Sequence, residues 1–185
     1  SIADMVKSLP CHRRPHFEVG LSTAFGCSIE GAISEDKVVR LAERAMEAGC
    51  DEVGLSDTTG YGNPAQVKRL VRSVKKVVGE QNLTGVHLHN TYGLGLANVI
   101  AALEEGITTL DSSLGGLGGC PAAPGASGNI VTEDLVFMLE AMGLTTGIDL
   151  SLLLGVRDIL SEALPNECLY GFTPNAGLPK GFYGI

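Results

Sequence analysis

Two histidines in the stretch VHLHN carry the most direct chemical signal in this sequence. His87 and His89 are separated by one residue. On a β-strand that spacing sends both imidazoles to the same face. One rigid element could then offer two ring nitrogens to a single divalent cation such as Mn, Fe, Co or Zn. Two hydrogen-bonded core histidines satisfy the same spacing. A second signal is the uncharged, glycine-rich stretch SLGGLGGCPAAPGASGN, from Ser113 to Asn129. It is no dinucleotide loop, because Pro121 stands where the third glycine of G-x-G-x-x-G belongs. It is no P-loop either, because it contains no lysine. It also lies between a strand-like and a helix-like run, where a plain linker is out of place. What remains is a loop whose glycines permit unusual dihedrals and close backbone approach, and which presents one thiol, Cys120, and one side-chain amide, Asn129. The plainer readings are a buried small hydrophobe for Cys120 and a helix cap for Asn129. Asp57 closes another strand-like run and suits either a turn or acid–base chemistry. Glu133 and Asp134 open a helix and are explained by its dipole. Cys27 is read as structural, and Cys11, Cys50 and Cys168 as incidental.

These residues need elements to hold them, and the chain supplies an alternation. FEVGLSTAF (17–25), DEVGLSDT (51–58), TGVHLHNT (84–91) and ITTLDSSL (107–114) read as strands. Between them run SEDKVVRLAERAMEAG (34–49), with Ser34 as N-cap and Gly49 as stop, then a helix opened by Pro64, and a third through GLGLANVIAALEEG. Further helices are predicted near 132–142 and 151–163, and residues 164–185 read as a tail or lid. Four such βα units make an α/β fold, either half of an eightfold barrel or a small open sheet. In a barrel, chemistry gathers at the C-terminal ends of the strands. SDTTG, HLHNTYG and DSSLGGLGGC all fall on that edge.

The 185 residues are 44% apolar, enough for one sizeable core, and the net charge of -8 argues against a nucleic-acid surface. CHRRPH, from Cys11 to His16, is the one basic cluster and reads as a solvated turn. Five cysteines without C-x-x-C spacing fit a reducing, cytoplasmic setting. No apolar run approaches the roughly 18 residues of a membrane span, and no signal-peptide pattern opens the chain, so no membrane partner is expected.

Taken together, GCSIEGAIS, SDTTGYGNP, VHLHNTYGLGLAN, DSSLGGLGGCPAAPGASGN and TEDLVFMLEAMG resemble, in order and spacing, the 3-hydroxy-3-methylglutaryl-CoA lyases. These belong to a group of TIM-barrel metallolyases that also holds isopropylmalate and homocitrate synthases. The resemblance covers roughly residues 17–163 and implies the second half of a (β/α)8 barrel, strands five to eight, with 1–16 as a poorly matched junction and 164–185 as tail. It implies His87, His89 and Asn129 as ligands of a divalent cation, Mg or Mn. Cys120 would be the general acid, with Asp57 and His87 also among the catalytic residues. The reaction implied is cleavage of 3-hydroxy-3-methylglutaryl-CoA to acetyl-CoA and acetoacetate. The family's first strand carries an Arg-Asp pair that has no match here. A half barrel is therefore expected to expose an apolar inner face and open edges, and so to form a homo-oligomer or pair with a complementary half. The competing readings are a related lyase or aldolase acting on another branched 3-hydroxyacyl-CoA, and a catalytically silent fragment.

Overall fold

Four parallel strands lie side by side in chain order, β1 (Glu18–Leu21), β2 (Glu52–Asp57), β3 (Gly85–Leu88) and β4 (Thr109–Asp111), in a computed structural model that describes residues 4–5, 8–10, 14–119, 121 and 125–182. Parallel neighbours require crossovers. They are supplied by α1 (Glu35–Glu47), α2 (Pro64–Val78) and α3 (Gly95–Glu104), and α4 (Thr132–Ala141), α5 (Leu150–Ala163) and the short α6 (Thr173–Ala176) follow. The strand order never reverses, which is the order of a barrel wall rather than of a doubly wound sheet with a switch point.

The register decides which side of the sheet is which. Val19 pairs with Val53, Leu21 with Leu55, Leu55 with Val86 and Asp57 with Leu88. These residues point toward the helices. Val53, Leu55, Leu70, Val71, Val74, Leu88 and Val99 are all fully buried there. The opposite parity carries Glu18, Gly20, Gly54, Ser56, Gly85, His87, Thr109 and Asp111, which line a trough of about 220 Å³ made entirely of strand residues. The expected apolar inner face is therefore absent. Strict alternation sends every Val and Leu of these strands to the helix side and leaves glycine and polar groups on the concave one. The open edges are present, since β1 and β4 each have a single neighbour among the described residues. On α5, Leu152, Val156 and Ile159 form an exposed stripe at helical spacing.

Strands end sooner than the apolar runs do, because their last residues are used in loops. After Leu21 the chain turns at Thr23 (φ 55°), whose N–H donates to Thr58 Oγ1 at 2.9 Å. Helix α2 opens with Pro64 in its first turn and Asn63 as cap, the Asn63 side chain accepting from the Gln66 amide at 3.1 Å. Ser34 precedes α1 without making the side-chain cap expected of it, and Glu35 and Asp36 supply the first turn's negative charge instead. Within CHRRPH, Cys11, His12 and Arg13 lie outside the described residues. Arg14 is no free surface group: it bonds Asp51 Oδ1 at 2.8 Å and the Gly49 carbonyl at 2.6 Å, and it lies over the Phe17 ring. Among the described residues, no helix is long and apolar enough to cross a membrane.

The sidedness can be tested on adjacent residues of β2. Leu55→Ala should cost about 2–5 kcal/mol of stability in urea denaturation. Ser56→Ala, facing the trough, should stay within about 0.5 kcal/mol. Comparable losses at both positions would refute the assigned parity.

Candidate functional site

The site is assembled where the loop after β4 folds back along the end of β3. His87 projects into the trough. Its Nδ1 lies 3.2 Å from Asp111 Oδ2, the residue paired with it on β4. Its Nε2 lies 3.1 Å from His89 Nε2. Two ligand nitrogens about 2.1 Å from one cation and at right angles would be about 3 Å apart, so the separation fits a shared ion. His89 is buried at 5% exposure. Burial first, and the neighbouring His87 second, push its pKa down and keep the ring in its neutral, metal-binding form.

Asn129 reaches His89 through backbone pairing. The two residues form an antiparallel bridge, flanked by Asn90 N–H to Gly128 O at 3.0 Å and Ile130 N–H to Leu88 O at 3.1 Å. With the hydrogen bonds on the flanking residues, the bridged pair is the non-hydrogen-bonded kind, whose side chains approach most closely on one face. The Asn129 amide nitrogen donates to the Leu117 carbonyl at 2.7 Å, and the buried side-chain oxygen has no partner among the described residues. An acceptor oxygen on the residue bridged to His89, together with two facing imidazole nitrogens, makes a donor set suited to a divalent cation. Among the described residues, no three His, Cys, Asp or Glu side chains converge as ligands, so the set rests on two imidazoles and one amide.

The glycines permit this return. Gly128 has φ 108°, and a Cβ there would lie 2.2 Å from the Gly116 carbonyl oxygen. Gly118 has φ 95°, and a Cβ there would lie 2.7 Å from the Asn129 amide nitrogen. The cap reading of Asn129 is set aside, because α4 begins at Thr132 with Val131 in the cap position. Cys120 lies outside the described residues. Cys27 forms a small turn, bridged to Gly31 with its sulfur accepting from the Ile29 amide at 3.4 Å, in line with a structural role.

Asp57 is held differently from the histidines. It shares parity with Leu55, away from the trough, and is fully buried. Its carboxylate accepts the Tyr61 amide at 2.9 Å and the Gly62 amide at 3.0 Å. Burial raises its pKa to about 6, against the opposing pull of the Gly62, Tyr61 and Gly60 amides. It thus folds the Thr58–Gly62 loop, which reaches the histidine loop: a Cβ on Gly60 would strike Thr91, and Asn98 donates to the Gly62 carbonyl at 3.1 Å.

Three contributors escaped the sequence reading. Asp111 orients His87, and only the strand register reveals it. Glu133 is fully buried and accepts the Gly115 amide and the Arg157 guanidinium. Asp134 accepts the amides of Phe172 and Thr173 at 2.7–3.0 Å, docking the tail. Between this tail, Asn90–Thr91 and Ser127–Asn129 lies a cleft of about 340 Å³.

Two variants test these loops. In Gly128→Ala, the clash with Gly116 should open the bridge and lower the melting temperature by several degrees, whereas Gly177→Ala, also at positive φ but in open space, should cost less. For Asp57, the folded chain holds its proton up to about pH 6, while the unfolded chain releases it near the usual value of about 4. Its stabilising contribution is therefore complete below about pH 4 and is lost as pH rises through about 6, a change on the order of 3 kcal/mol. Asp57→Asn should flatten the fall in unfolding free energy between about pH 4 and 6. Identical slopes for variant and parent would dismiss that account.

Comparison with known proteins identifies the family. Residues 4–160 match the HMGL-like family. The cytoplasmic 3-hydroxy-3-methylglutaryl-CoA lyase of Rattus norvegicus is 46% identical over 144 residues, 78% of this chain and 42% of that protein. The (R)-citramalyl-CoA lyase of Chloroflexus aurantiacus is 45% identical over 148 residues, 80% of this chain and 46% of that protein. The chain thus spans less than half the length of these curated relatives. An HMG-CoA lyase from Acinetobacter baumannii, solved in complex with coenzyme A and 3-methylmalate, superposes with a TM-score of 0.87 at 44% identity, covering 99% of this chain and 59% of that one. With its four parallel strands, its paired histidines and its returning glycine loop, the chain belongs to the HMGL-like family.

Proposed function

We propose that this chain carries the cation-binding and proton-donating part of a carbon–carbon lyase that cleaves 3-hydroxy-3-methylglutaryl-CoA to acetyl-CoA and acetoacetate. The observation that carries the reading is the approach of His87 Nε2 and His89 Nε2, 3.1 Å apart, with Asn129 bridged to His89 and its side-chain oxygen unpartnered among the described residues. These three residues would hold a divalent cation, Mg or Mn. When bound, the cation supplies a Lewis acid that polarises the substrate's 3-hydroxyl and lowers its pKa.

The chain's own groups account for the rest. Asp111 holds the His87 ring in one orientation from the neighbouring strand. The loop folded by Asp57 stands at the same end of the sheet. Loss of the hydroxyl proton to solvent turns C3 into the ketone carbon of acetoacetate and breaks the C2–C3 bond. The electron pair leaves on C2 as the acetyl-CoA enolate, which takes its proton from the Cys120 thiol. A thiol with a pKa near 8.5 is mostly protonated at neutral pH yet gives up its proton readily. The polar trough and the unpaired edges of β1 and β4 support assembly with further barrel strands, in a complementary half or a second copy. The cytoplasmic lyase among its relatives supports a cytoplasmic setting.

A second reading, a lyase for another branched 3-hydroxyacyl-CoA, is favoured by one observation: the citramalyl-CoA lyase relative is 45% identical, almost level with the HMG-CoA lyase. Steady-state assays with both thioesters and Mn²⁺ discriminate the two. We expect turnover only when the remaining barrel strands are supplied, in cis or as a separate chain. Full activity of the 185-residue chain alone would overturn that expectation. Absence of both cleavage and Mn²⁺ binding, with those strands present, would favour the silent fragment. In the assembled enzyme, Cys120→Ala should lower kcat by about 10²–10⁴-fold with Mn²⁺ affinity unchanged. His89→Ala should abolish both, and loss of metal in the Cys120 variant would move that thiol into the ligand set.

A further inference from the structure

The ion pair between Glu133 and Arg157 lies beneath the glycine loop. Glu133 is fully buried and the Arg157 side chain is 15% exposed. Both carboxylate oxygens of Glu133 accept the Gly115 amide, at 3.1 and 3.2 Å, and one also accepts Arg157 Nη1 at 3.2 Å. The same guanidinium donates to the Tyr170 carbonyl at 2.8 Å and the Leu169 carbonyl at 3.0 Å. The Tyr170 amide in turn donates to the Gly115 carbonyl at 2.8 Å. Both backbone groups of Gly115 are therefore held, one by the ion pair and the other by the tail segment that the pair fastens.

This clamp acts on the site through the residues next to Gly115. The turn Leu114–Gly116 leads directly to Leu117, whose carbonyl holds the Asn129 amide nitrogen. An Asn side chain can rotate to exchange its oxygen and nitrogen. The Leu117 acceptor decides which end is which: it takes the amide nitrogen and leaves the oxygen free as an acceptor, on a residue bridged to His89. A buried ion pair is a poor device for stability alone, since a well-packed apolar pair of the same volume serves as well or better. Its distinct property is geometry: a carboxylate that takes one amide with two oxygens, and a guanidinium fork that reaches a carboxylate and two carbonyls at once.

We propose that Glu133 and Arg157 are positioning residues for Asn129. By clamping Gly115 they set the Leu117 carbonyl, and the carbonyl orients the Asn129 amide. The proposal rests on the reading of Asn129 as a cation ligand, and it also makes the tail segment Leu169–Tyr170 part of the site's support.

The test uses the full 185-residue chain with Glu133→Gln and Arg157→Lys, two substitutions that keep size or charge. The primary readout is hydrogen exchange of the Asn129 side-chain amide by ¹⁵N NMR. The buried Asn98 amide, bonded to Gly62 away from the clamp, is the internal control. Both variants should exchange the Asn129 amide about tenfold faster or more, with Asn98 unchanged. Unchanged Asn129 exchange in a folded variant, or a parallel rise at both amides, would reduce the pair to a structural role and overturn the proposal. The second readout is binding of Mn²⁺ alone by EPR, expected to weaken about 10–100-fold as for other outer-shell partners. If the parent takes up no Mn²⁺ even with the remaining barrel strands supplied, the cation-site reading fails, while the exchange data still decide whether the clamp orients Asn129. Should Glu133→Gln fail to fold, Arg157→Lys, which retains the buried charge balance, carries the decision.

Discussion

Two backbone hydrogen bonds, Asn90 to Gly128 and Ile130 to Leu88, hold the loop after β4 against the end of β3, and the geometry of the site depends on them. They set Asn129 opposite His89 in an antiparallel pair at the end of a sheet that is otherwise parallel. The return brings two stretches of backbone closer than any Cβ allows, which is why glycine stands at Gly128. The His89–Asn129 relation is thus a backbone relation, and the side chains inherit it. A site built this way does not depend on one long, mobile side chain finding its target.

The sheet is constrained in the same way. Each strand is short, and alternation leaves no choice about which residues meet the helices and which line the trough. The glycines and polar groups of the concave side are ill suited to an apolar core but natural in a surface that meets substrate, cation or further polar strands. His87 belongs to this face through parity, and Asp111 stands beside it through register. Asp57 has the other parity and is engaged by its own loop, and its burial raises its pKa. Two acidic residues at the ends of strands on either side of β3 therefore do different work: Asp111 turns an imidazole, and Asp57 folds a loop around two amides.

Support for the site arrives from far along the chain. Glu133 and Asp134 sit in the first turn of α4, where a helix dipole is enough to account for acids. In the folded chain each binds amides of a distant segment, Gly115 for one and Phe172 with Thr173 for the other. The tail is drawn into the structure by these carboxylates and by Arg157. Residues that read as a loose end are fastened by hydrogen bonds that no local pattern encodes.

Whatever depends on neighbours within a few residues was legible in the sequence. The alternation of strands and helices, the shared face of His87 and His89, the stop at Gly49 and the opening of α2 at Pro64 follow from periods of 2 and 3.6 and from backbone dihedrals that only certain residues adopt. The glycine loop could also be read as a place of close backbone approach, though not what it approaches. Strand ends were over-read, because Thr23, Ala24 and Phe25 are β-branched or apolar enough to continue a strand until tertiary hydrogen bonds to Thr58 and Ser56 turn them. The polarity of the trough, the partnership of Asp111 with His87, the burial of Asp57 and the Glu133–Arg157 clamp were decided only by the tertiary structure. Each joins groups separated by sheet register or by loop closure over many residues. Sequence spacing determines which groups share a face of one element, but which elements meet is settled only when the backbone pairs and the core closes.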